Sequence, residues 1–253
     1  MKLQFLSDIH LEIRDFESYE SIVTPQADIL ALLGDIGVPS PSLEKFLAWC
    51  SSRFEYVFYV PGNHEYYNQE GISIDEINNK LQEICDRTKV IFMNNHVCVL
   101  GKIALIGSIL WSYIPPHAFD IVQSSLNDYK YIYATPRQLI TPLDTSNEFV
   151  KNMSFLYHSI IDMRKQNKTI VVLTHHTPLT QGTSHPRYDK TLTTHAFSTD
   201  IRLHYPDSVT YWLCGHTHFN FRIKTDQFEL ISNQWGYTSM PESSYDPNLV
   251  LDL

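Results

Sequence analysis

The 253-residue sequence predicts a layered α/β fold. Short apolar runs with little polar interruption recur along the chain, as in strands that are buried on both faces. Stretches with an apolar residue at every third or fourth position alternate with these runs and indicate helices. The resulting order is β-α-β-α-β, with further strands later, and it is typical of helices packed against a sheet.

Six runs are interpreted as strands because they are short, apolar and rich in β-branched or aromatic residues. They cover residues 2–6, 28–33, 56–60, 103–106, 169–173 and 209–213. Two later runs, 219–223 and 228–232, flank the polar stretch 224–227 and predict a hairpin.

Three helical patterns begin at sequence signals that satisfy the free N–H groups of a first helical turn. These signals are Ser40-Pro41, the pair Ser73 and Glu76, and the pair Thr145 and Glu148. Each signal is followed by apolar residues at helical spacing, so each predicts the start of a helix.

Two segments show no clear period. Residues 111–143 mix Pro, Tyr and Ser, and residues 177–195 are rich in Thr, His and Pro. Long irregular segments inside compact domains are usually functional, so we expect both to border an active site. The chain as a whole, residues 1–253, is predicted to form a single domain.

The formal charge is −9, from 19 basic and 28 acidic residues, and no run of Lys and Arg occurs. This balance disfavours a partner such as DNA or RNA that is held through its phosphate backbone. A small phosphate ester remains compatible with an acidic chain, because bound divalent metals make a site locally positive.

The four cysteines form no CxxC pair, so no zinc knuckle or redox motif is predicted. No apolar stretch approaches the roughly 20 residues of a membrane-spanning helix, and residues 1–10 do not fit a signal peptide. We therefore expect a cytoplasmic protein without a membrane partner. The oligomeric state cannot be deduced from the sequence.

Five short polar motifs each follow a predicted strand. In α/β sheets, ligands collect at the carboxyl ends of the strands, so the five motifs are expected to converge. They are Asp8-Ile9-His10, Gly34-Asp35, Gly62-Asn63-His64-Glu65, His175-His176 and Gly215-His216-Thr217-His218.

Carboxylate, amide and imidazole side chains in this combination suit Mn, Fe, Zn, Co or Ni better than Ca. Residues i and i+2 of an extended chain point the same way. Asp8 and His10 are therefore expected to reach one metal together, and His216 and His218 to share one face. Two metals side by side can clamp both the attacking and the leaving oxygen of a phosphoryl transfer.

The five motifs resemble the D-x-H, G-D, G-N-H-[DE], H and G-H-x-H blocks of the calcineurin-like metallophosphoesterases. The resemblance spans residues 8 to 218 and keeps the order of the blocks. It implies a four-layer α/β/β/α sandwich and a dinuclear metal centre. Mn²⁺ is the preferred expectation for both metals, with Fe, Zn, Co, Ni or Mg as alternatives.

The resemblance also implies roles for individual residues. One metal would be held by Asp8, His10, Asp35 and His218, and the other by Asp35, Asn63, His175 and His216. Asp35 would bridge the two metals, and a bridging hydroxide would attack phosphorus. His64 would protonate the leaving oxygen or stabilise the transition state.

The protein-phosphatase branch of this family carries one arginine after its G-D block and another before G-N-H-E. Both are missing here, since Pro61 precedes Gly62 and no arginine follows Asp35 closely. The G-H-x-H block resembles phosphodiesterase-like branches instead. We therefore expect hydrolysis of a phosphodiester or phosphomonoester on a small molecule. A phosphoprotein phosphatase, a non-catalytic interaction scaffold and a nuclease are the alternatives.

Further stretches, at 107–111, 126–129, 175–178 and 233–237, resemble one broad group of small metallophosphoesterases. They give candidates for the pocket wall, where aromatic rings could stack on a planar leaving group. These candidates are Asn127, Asp128, Tyr129 and Tyr237. Arg187 is the candidate for a phosphate contact, and His176, His185 and His195 are weaker candidates near the site.

Overall fold

The computed structural model describes residues 1–14, 16–189, 191–201, 203, 209–237 and 244–253. The strands are β1 (Lys2–Leu6), β2 (Ile29–Leu33), β3 (Tyr56–Val60), β4 (Ile91–Phe92), β5 (His96–Leu100), β6 (Ile103–Ser108), β7 (Tyr133–Thr135), β8 (Gln138–Leu139), β9 (Thr169–Thr174), β10 (Tyr211–Cys214), β11 (Arg222–Lys224), β12 (Glu229–Ser232) and β13 (Val250–Asp252). The helices are α1 (Pro41–Arg53), α2 (Ile74–Thr88), α3 (Phe119–Ser125), α4 (Asp128–Tyr131) and α5 (Pro142–Lys165).

Two mainly parallel sheets carry most of these strands. The first has the order β13-β1-β2-β3-β4, in which β1 to β4 are parallel and β13 runs antiparallel to β1. The second has the order β11-β12-β10-β9-β6-β5, with four parallel central strands and an antiparallel strand at each edge. Their central strands are buried on both faces, which explains the uninterrupted apolar runs of the sequence.

The core is divided by the two sheets. Side chains such as Phe5, Leu105 and Leu213 form a cluster between the sheets. α1 and α2 cover the outer face of the first sheet, and α5 covers the outer face of the second. The architecture is therefore the predicted α/β/β/α sandwich.

The six predicted strands are confirmed, with ends that differ by at most two residues. The predicted hairpin is also confirmed as β11 and β12, although its strands are shorter than the predicted runs. The sequence analysis missed β4, β5 and β13. β4 and β13 are only two and three residues long, and β5 was missed although residues 97–100 form an apolar run.

The predicted start of the third helix was wrong. α5 begins at Pro142, and its N-cap is Thr141, whose side chain forms a capping box with Asp144. Thr145 lies inside the first turn, where its hydroxyl donates to the carbonyl of Pro142 at 3.1 Å. Both four-residue patterns fit the capping rule, and the helix adopts the earlier one, which also places Pro142 at its first position.

The segment 111–143 is less irregular than expected, because it contains α3, α4 and the β7–β8 hairpin. Its elements are only two to seven residues long, too short for a period to appear in the sequence. The segment 177–195 forms short 3₁₀ turns at Pro186–Tyr188 and Leu192–Ala196, and its Lys190 lies outside the described residues.

Within the described part of the chain, no helix combines the length and apolar character needed to cross a bilayer. The cytoplasmic location and the single-domain organisation remain predictions.

Candidate metal centre

All five polar motifs begin at the carboxyl end of a parallel strand. β1, β2 and β3 supply three of them from the first sheet, and β9 and β10 supply two from the second. Backbone hydrogen bonds tie neighbouring motifs together: Asp8 N donates to Gly34 O at 3.1 Å, and Gly215 N donates to His175 O at 2.9 Å. The motifs therefore converge on one point, as predicted.

The backbone at these motifs is left-handed rather than extended. Ten described non-glycine residues have positive φ, and five of them are predicted site residues: Asp8, His10, Asp35, His216 and His218. Such a conformation costs roughly 1–2 kcal/mol for an L-residue, and clusters of it occur at functional sites. The strained backbone at these five residues therefore indicates a functional site independently of the sequence motifs.

One sequence-based expectation fails for this reason. His216 and His218 were expected to share a face, but left-handed backbone at both positions breaks the alternation of an extended strand. The two side chains belong to different groups of potential ligands. Asp8 and His10 do lie in one group, although through left-handed backbone as well.

Among the described residues, the predicted metal ligands form two groups in which the ligand atoms lie within 4.8 Å of one another, and a third such group comprises His10, Glu12 and His64. The first group is Asp8, His10, Asp35 and His218, and the second is Asp35, His175 and His216. Asn63 adjoins the second group, with its Oδ1 3.1 Å from His175 Nε2. Asp35 is thus common to both groups.

The first group presents facing lone pairs. The Nδ1 of His10 donates to Glu12 Oε1 at 3.1 Å, which leaves the His10 Nε2 as an acceptor. That Nε2 lies 3.2 Å from the Nε2 of His218, which in turn is 3.2 Å from Asp8 Oδ1. Buried acceptors that face each other require a shared proton or a cation between them. This donor set fits a divalent metal.

The second group has the same character. His175 Nδ1 donates to the carbonyl of Leu33 at 2.8 Å, so its Nε2 faces Asn63 Oδ1 at 3.1 Å and Asp35 Oδ1 at 3.3 Å as an acceptor. The amide of Asn63 is oriented by its Nδ2, which donates to Asp128 Oδ1 at 2.8 Å. Oxygen and imidazole lone pairs again converge, and they also fit a divalent metal.

His64 stands beside both groups. Its Nδ1 contacts Glu12 Oε1 at 3.0 Å, and its Nε2 lies 3.2 Å from the Tyr237 hydroxyl and 3.9 Å from Asp35 Oδ2. Burial lowers the pKa of His64, but the negative charges of Asp35 and Glu12 outweigh it and raise the pKa to about 9. The side chain is 16% exposed, so it can reach a bound molecule.

Glu65 has a larger role than the sequence suggested. Its carboxylate is fully buried and accepts hydrogen bonds from the loops after β2 and β3. The donors are the backbone N–H groups of Asp35 (2.9 Å), Ile36 (2.8 Å), Gly62 (2.8 Å) and Gly37 (3.4 Å) and the Tyr59 hydroxyl (2.8 Å). Glu65 therefore joins the loop that carries Asp35 to the loop that carries Asn63.

Two glycines are required for different reasons. Gly34 has a φ of +83°, a conformation open to glycine. Gly62 has ordinary backbone, but a Cβ there would lie 2.2 Å from Asp35 Oδ1 and 2.8 Å from His175 Nε2. Gly62 is thus needed for close approach of the ligands rather than for a special backbone conformation.

A cavity of about 360 Å³ opens onto the two groups. Both segments that were predicted to border the site line it, through residues 125–128 on one wall and residues between 184 and 197 on the other. Asn127, Asp128 and Tyr237 are in its wall, as predicted. Tyr129 is not: it is buried in the core, and its hydroxyl pairs with Thr145 Oγ1 at 3.2 Å.

The weaker candidates lie around the cavity. Among the described residues, the cavity lining does not include Arg187, His185 or His195. Arg187 instead covers the ring of Tyr188, which does line it, with its Cζ 4.6 Å from the ring centroid. His176 is buried and stacks on His216 with ring centroids 4.0 Å apart, as expected of a residue behind the ligands.

The sequence analysis did not predict that two acidic residues contact the candidate metal ligands. Glu12 contacts His10 and His64, and Asp128, predicted only as pocket wall, orients Asn63 and accepts from the Tyr67 hydroxyl at 2.5 Å. The position of Glu12, two residues after His10, was the available signal. For Asp128, 65 residues from Asn63 in sequence, only the fold reveals the contact.

Comparison with known proteins agrees with this architecture. A family model described as "calcineurin-like phosphoesterase" matches residues 1–220. Uncharacterized protein L509 of Acanthamoeba polyphaga mimivirus is 32% identical over 270 aligned positions, which cover 99% of this chain and 96% of that protein.

Two solved structures share the fold. The phosphopantetheinyl hydrolase PptH of Mycobacterium tuberculosis superposes with a TM-score of 0.73 at 15% identity, over 96% of this chain and 93% of its own. A dimetal phosphatase from Danio rerio gives a TM-score of 0.54 at 15% identity, over 96% and 90% of the two chains. At such low identity the likeness concerns the fold alone, whereas the family model covers most of the sequence. The chain therefore belongs to the calcineurin-like phosphoesterase family.

Proposed function

We propose that this protein hydrolyses a small phosphate ester, either a phosphodiester or a phosphomonoester, at a dinuclear metal centre. The observation that carries the proposal is the pair of ligand groups that share Asp35. A carboxylate that belongs to both groups would suit two adjacent cations, because it has two oxygens that can act as ligands.

In this proposal, Asp8, His10, Asp35 and His218 would hold one cation, and Asp35, Asn63, His175 and His216 the other. When bound, the cations lower the pKa of water and balance the charge on the phosphoryl oxygens. Mn²⁺ is the first metal to test, since oxygen and imidazole ligands suit it.

His64 would act on the leaving oxygen. Its Nδ1 is engaged by Glu12, so its Nε2 is the nitrogen that faces the centre and can donate a proton or a hydrogen bond to that oxygen. The raised pKa, about 9, favours the protonated ring at neutral pH. The Tyr237 hydroxyl, 3.2 Å from Nε2, supplies a second polar contact at the same place.

The cavity supports a small substrate. Its volume of about 360 Å³ lies at the lower end of the range for small-molecule sites. Its walls combine aromatic rings, such as Tyr67 and Phe197, with hydroxyl side chains, such as Ser125 and Thr194. Such walls suit an organic group with a ring and a few hydrogen-bonding atoms.

Turnover of bis-p-nitrophenyl phosphate and p-nitrophenyl phosphate tests the proposal, first with Mn²⁺ and then with a chelator. We expect metal-dependent release of p-nitrophenol, with the diester preferred. Preference for phosphopeptides over both esters would support the phosphoprotein phosphatase alternative. Absence of turnover in a protein shown to bind two metals per chain would contradict the hydrolase proposal and favour a scaffold.

A further inference from the structure

We propose that Glu12 is a positioning residue that orients two histidines at once, His10 of the first ligand group and the proposed acid His64. The proposal rests on the hydrolytic function argued above, and it adds a residue outside both ligand groups. It predicts that metal affinity at the first group and proton donation by His64 depend on one carboxylate oxygen.

The geometry is that of a shared acceptor. Glu12 Oε1 lies 3.1 Å from His10 Nδ1 and 3.0 Å from His64 Nδ1. The two rings meet edge to face, with centroids 4.4 Å apart and planes 67° apart. One oxygen therefore fixes the ring rotation of both histidines relative to each other.

The shared acceptor also determines which nitrogen of each ring faces Glu12 as an N–H donor. A carboxylate oxygen can only accept, so each histidine must present an N–H at Nδ1. Each ring then turns its Nε2 toward Asp35 Oδ2, at 4.0 Å from His10 and 3.9 Å from His64. His10 needs Nε2 as a lone pair for a metal, whereas His64 needs a proton there for the leaving oxygen. The same contact thus serves both roles.

The surroundings of Glu12 favour its role as the acceptor shared by His10 and His64. Its other oxygen, Oε2, is buried and makes no hydrogen bond with any residue that the structure describes. Both histidines instead contact the same oxygen, Oε1. The planes of the two rings are fixed by other contacts: Tyr237 stacks on His10 at 4.8 Å and Tyr67 on His64 at 4.3 Å. Glu12 therefore fixes the remaining freedom of each histidine, which is rotation of the ring within its own plane.

The test compares Glu12→Ala and Glu12→Gln with Glu55→Gln as a matched control. Glu55 is an exposed glutamate that precedes β3, at the edge of the sheet opposite the site. In Glu12→Ala we expect about a 10–100-fold loss of kcat with little change in KM, and Mn²⁺ affinity of one site weakened by a similar factor. Glu12→Gln retains a carbonyl acceptor and should recover part of both losses, and Glu55→Gln should match the wild type.

A double-mutant cycle separates positioning from general damage. In a His64→Ala background, Glu12→Ala should lower kcat much less than it does in the wild type, since one of the rings that it orients is gone. Equal losses of kcat in the two backgrounds would overturn the proposal, as would Mn²⁺ affinity in Glu12→Ala equal to that of the wild type.

A measurement without turnover keeps this inference separate from the proposed function. In the ¹⁵N NMR spectrum of metal-free protein, the His64 ring should show a protonated Nδ1 in the wild type, and this signal should change in Glu12→Ala. Inactivity of the wild type toward every ester would contradict the hydrolase function while the NMR signal still decides the role of Glu12. An unchanged His64 signal in Glu12→Ala would overturn the proposal even in an active enzyme.

Discussion

At the scale of single residues, carboxylates outside the ligand groups, either buried or half-buried, organise the site. Glu12 contacts two histidines, Asp128 orients Asn63, and Glu65 joins two loops. Partners behind metal ligands fix ligand orientation, and their loss typically costs 10–100-fold in activity or affinity. The residues worth mutating are therefore more numerous than the five motifs suggest.

His64→Ala should retain two metals per chain and lose rate, because His64 lies outside both ligand groups. The loss should be about 10²–10⁴-fold for esters with poor leaving groups and smaller for p-nitrophenyl esters, whose leaving oxygen needs little protonation. Rates across aryl esters of graded leaving-group pKa check this. A loss that does not vary with leaving group would reject proton donation and favour electrostatic stabilisation by His64.

Asn63→Ala should weaken one metal site and reduce activity by orders of magnitude, since it removes the amide oxygen that faces His175 Nε2 at 3.1 Å. Metal content per chain and kcat, measured on the same preparation, check this. Full metal content with turnover near that of the wild type would show that the proposed ligand set is wrong.

Glu65→Ala should destabilise the protein by at least about 3 kcal/mol, because it leaves several buried N–H groups without an acceptor. Urea unfolding of metal-free protein measures the change, with the exposed Glu70→Ala as control, which should stay within about 0.5 kcal/mol of the wild type. A loss below 1 kcal/mol for Glu65→Ala would show that the two loops hold together without it.

Residue types and order sufficed to predict where the candidate ligands gather. Asp8, Asp35 and His175 each follow an apolar strand, and parallel strands bring such positions to one edge. The direction in which each side chain points could not be predicted. It depends on left-handed backbone at His216 and His218, and no local pattern encodes that conformation for histidine.

At the scale of elements, α5 shows how two start signals compete. Asp144→Ala removes one half of the observed capping box and should cost about 1 kcal/mol. Glu148→Ala, at the position favoured by the sequence, removes only an exposed pair with Lys151 and should cost less than about 0.5 kcal/mol. Thermal unfolding of the two variants checks this, and the reverse ranking would place the helix start at Thr145.

The loop after β3 gives a second prediction at this scale. Gly62→Ala should abolish binding of at least one metal, because the new Cβ would displace Asp35 or His175. Gly101→Ala, at a φ of +59° where a Cβ meets nothing within 4 Å, is the control for a glycine substitution that strains the backbone without crowding the site. Calorimetric titration with Mn²⁺ measures both, and two intact sites in Gly62→Ala would refute the crowding argument.

Buried parallel strands were predictable, whereas edge strands were not. β2 is buried along its whole length and is an uninterrupted apolar run. β5, at an edge, is only half-buried, and it pairs antiparallel with β6. Formation of an edge strand depends on the strand that it pairs with, and this pairing is a tertiary contact that local sequence does not encode.

At the scale of the whole molecule, the site spans the two sheets. If metals bind there, they bind the folded state alone, since the ligands come from distant parts of the chain. Mn²⁺ at about 100 times its dissociation constant should raise the midpoint of thermal unfolding by about 5–10 °C, and a chelator should reverse the rise. A midpoint indifferent to both would contradict a metal centre between the sheets.

The division of the ligand groups between the sheets also bears on synthesis of the chain. Asp8, His10, Asp35 and Asn63 leave the ribosome before His175, His216 and His218, which follow strands of the second sheet. A nascent chain that has formed only β1 to β4 holds part of each group and complete coordination of neither. Metal would then bind only when the two sheets dock, and the bound cation would stabilise the docked sheets relative to a partly folded chain.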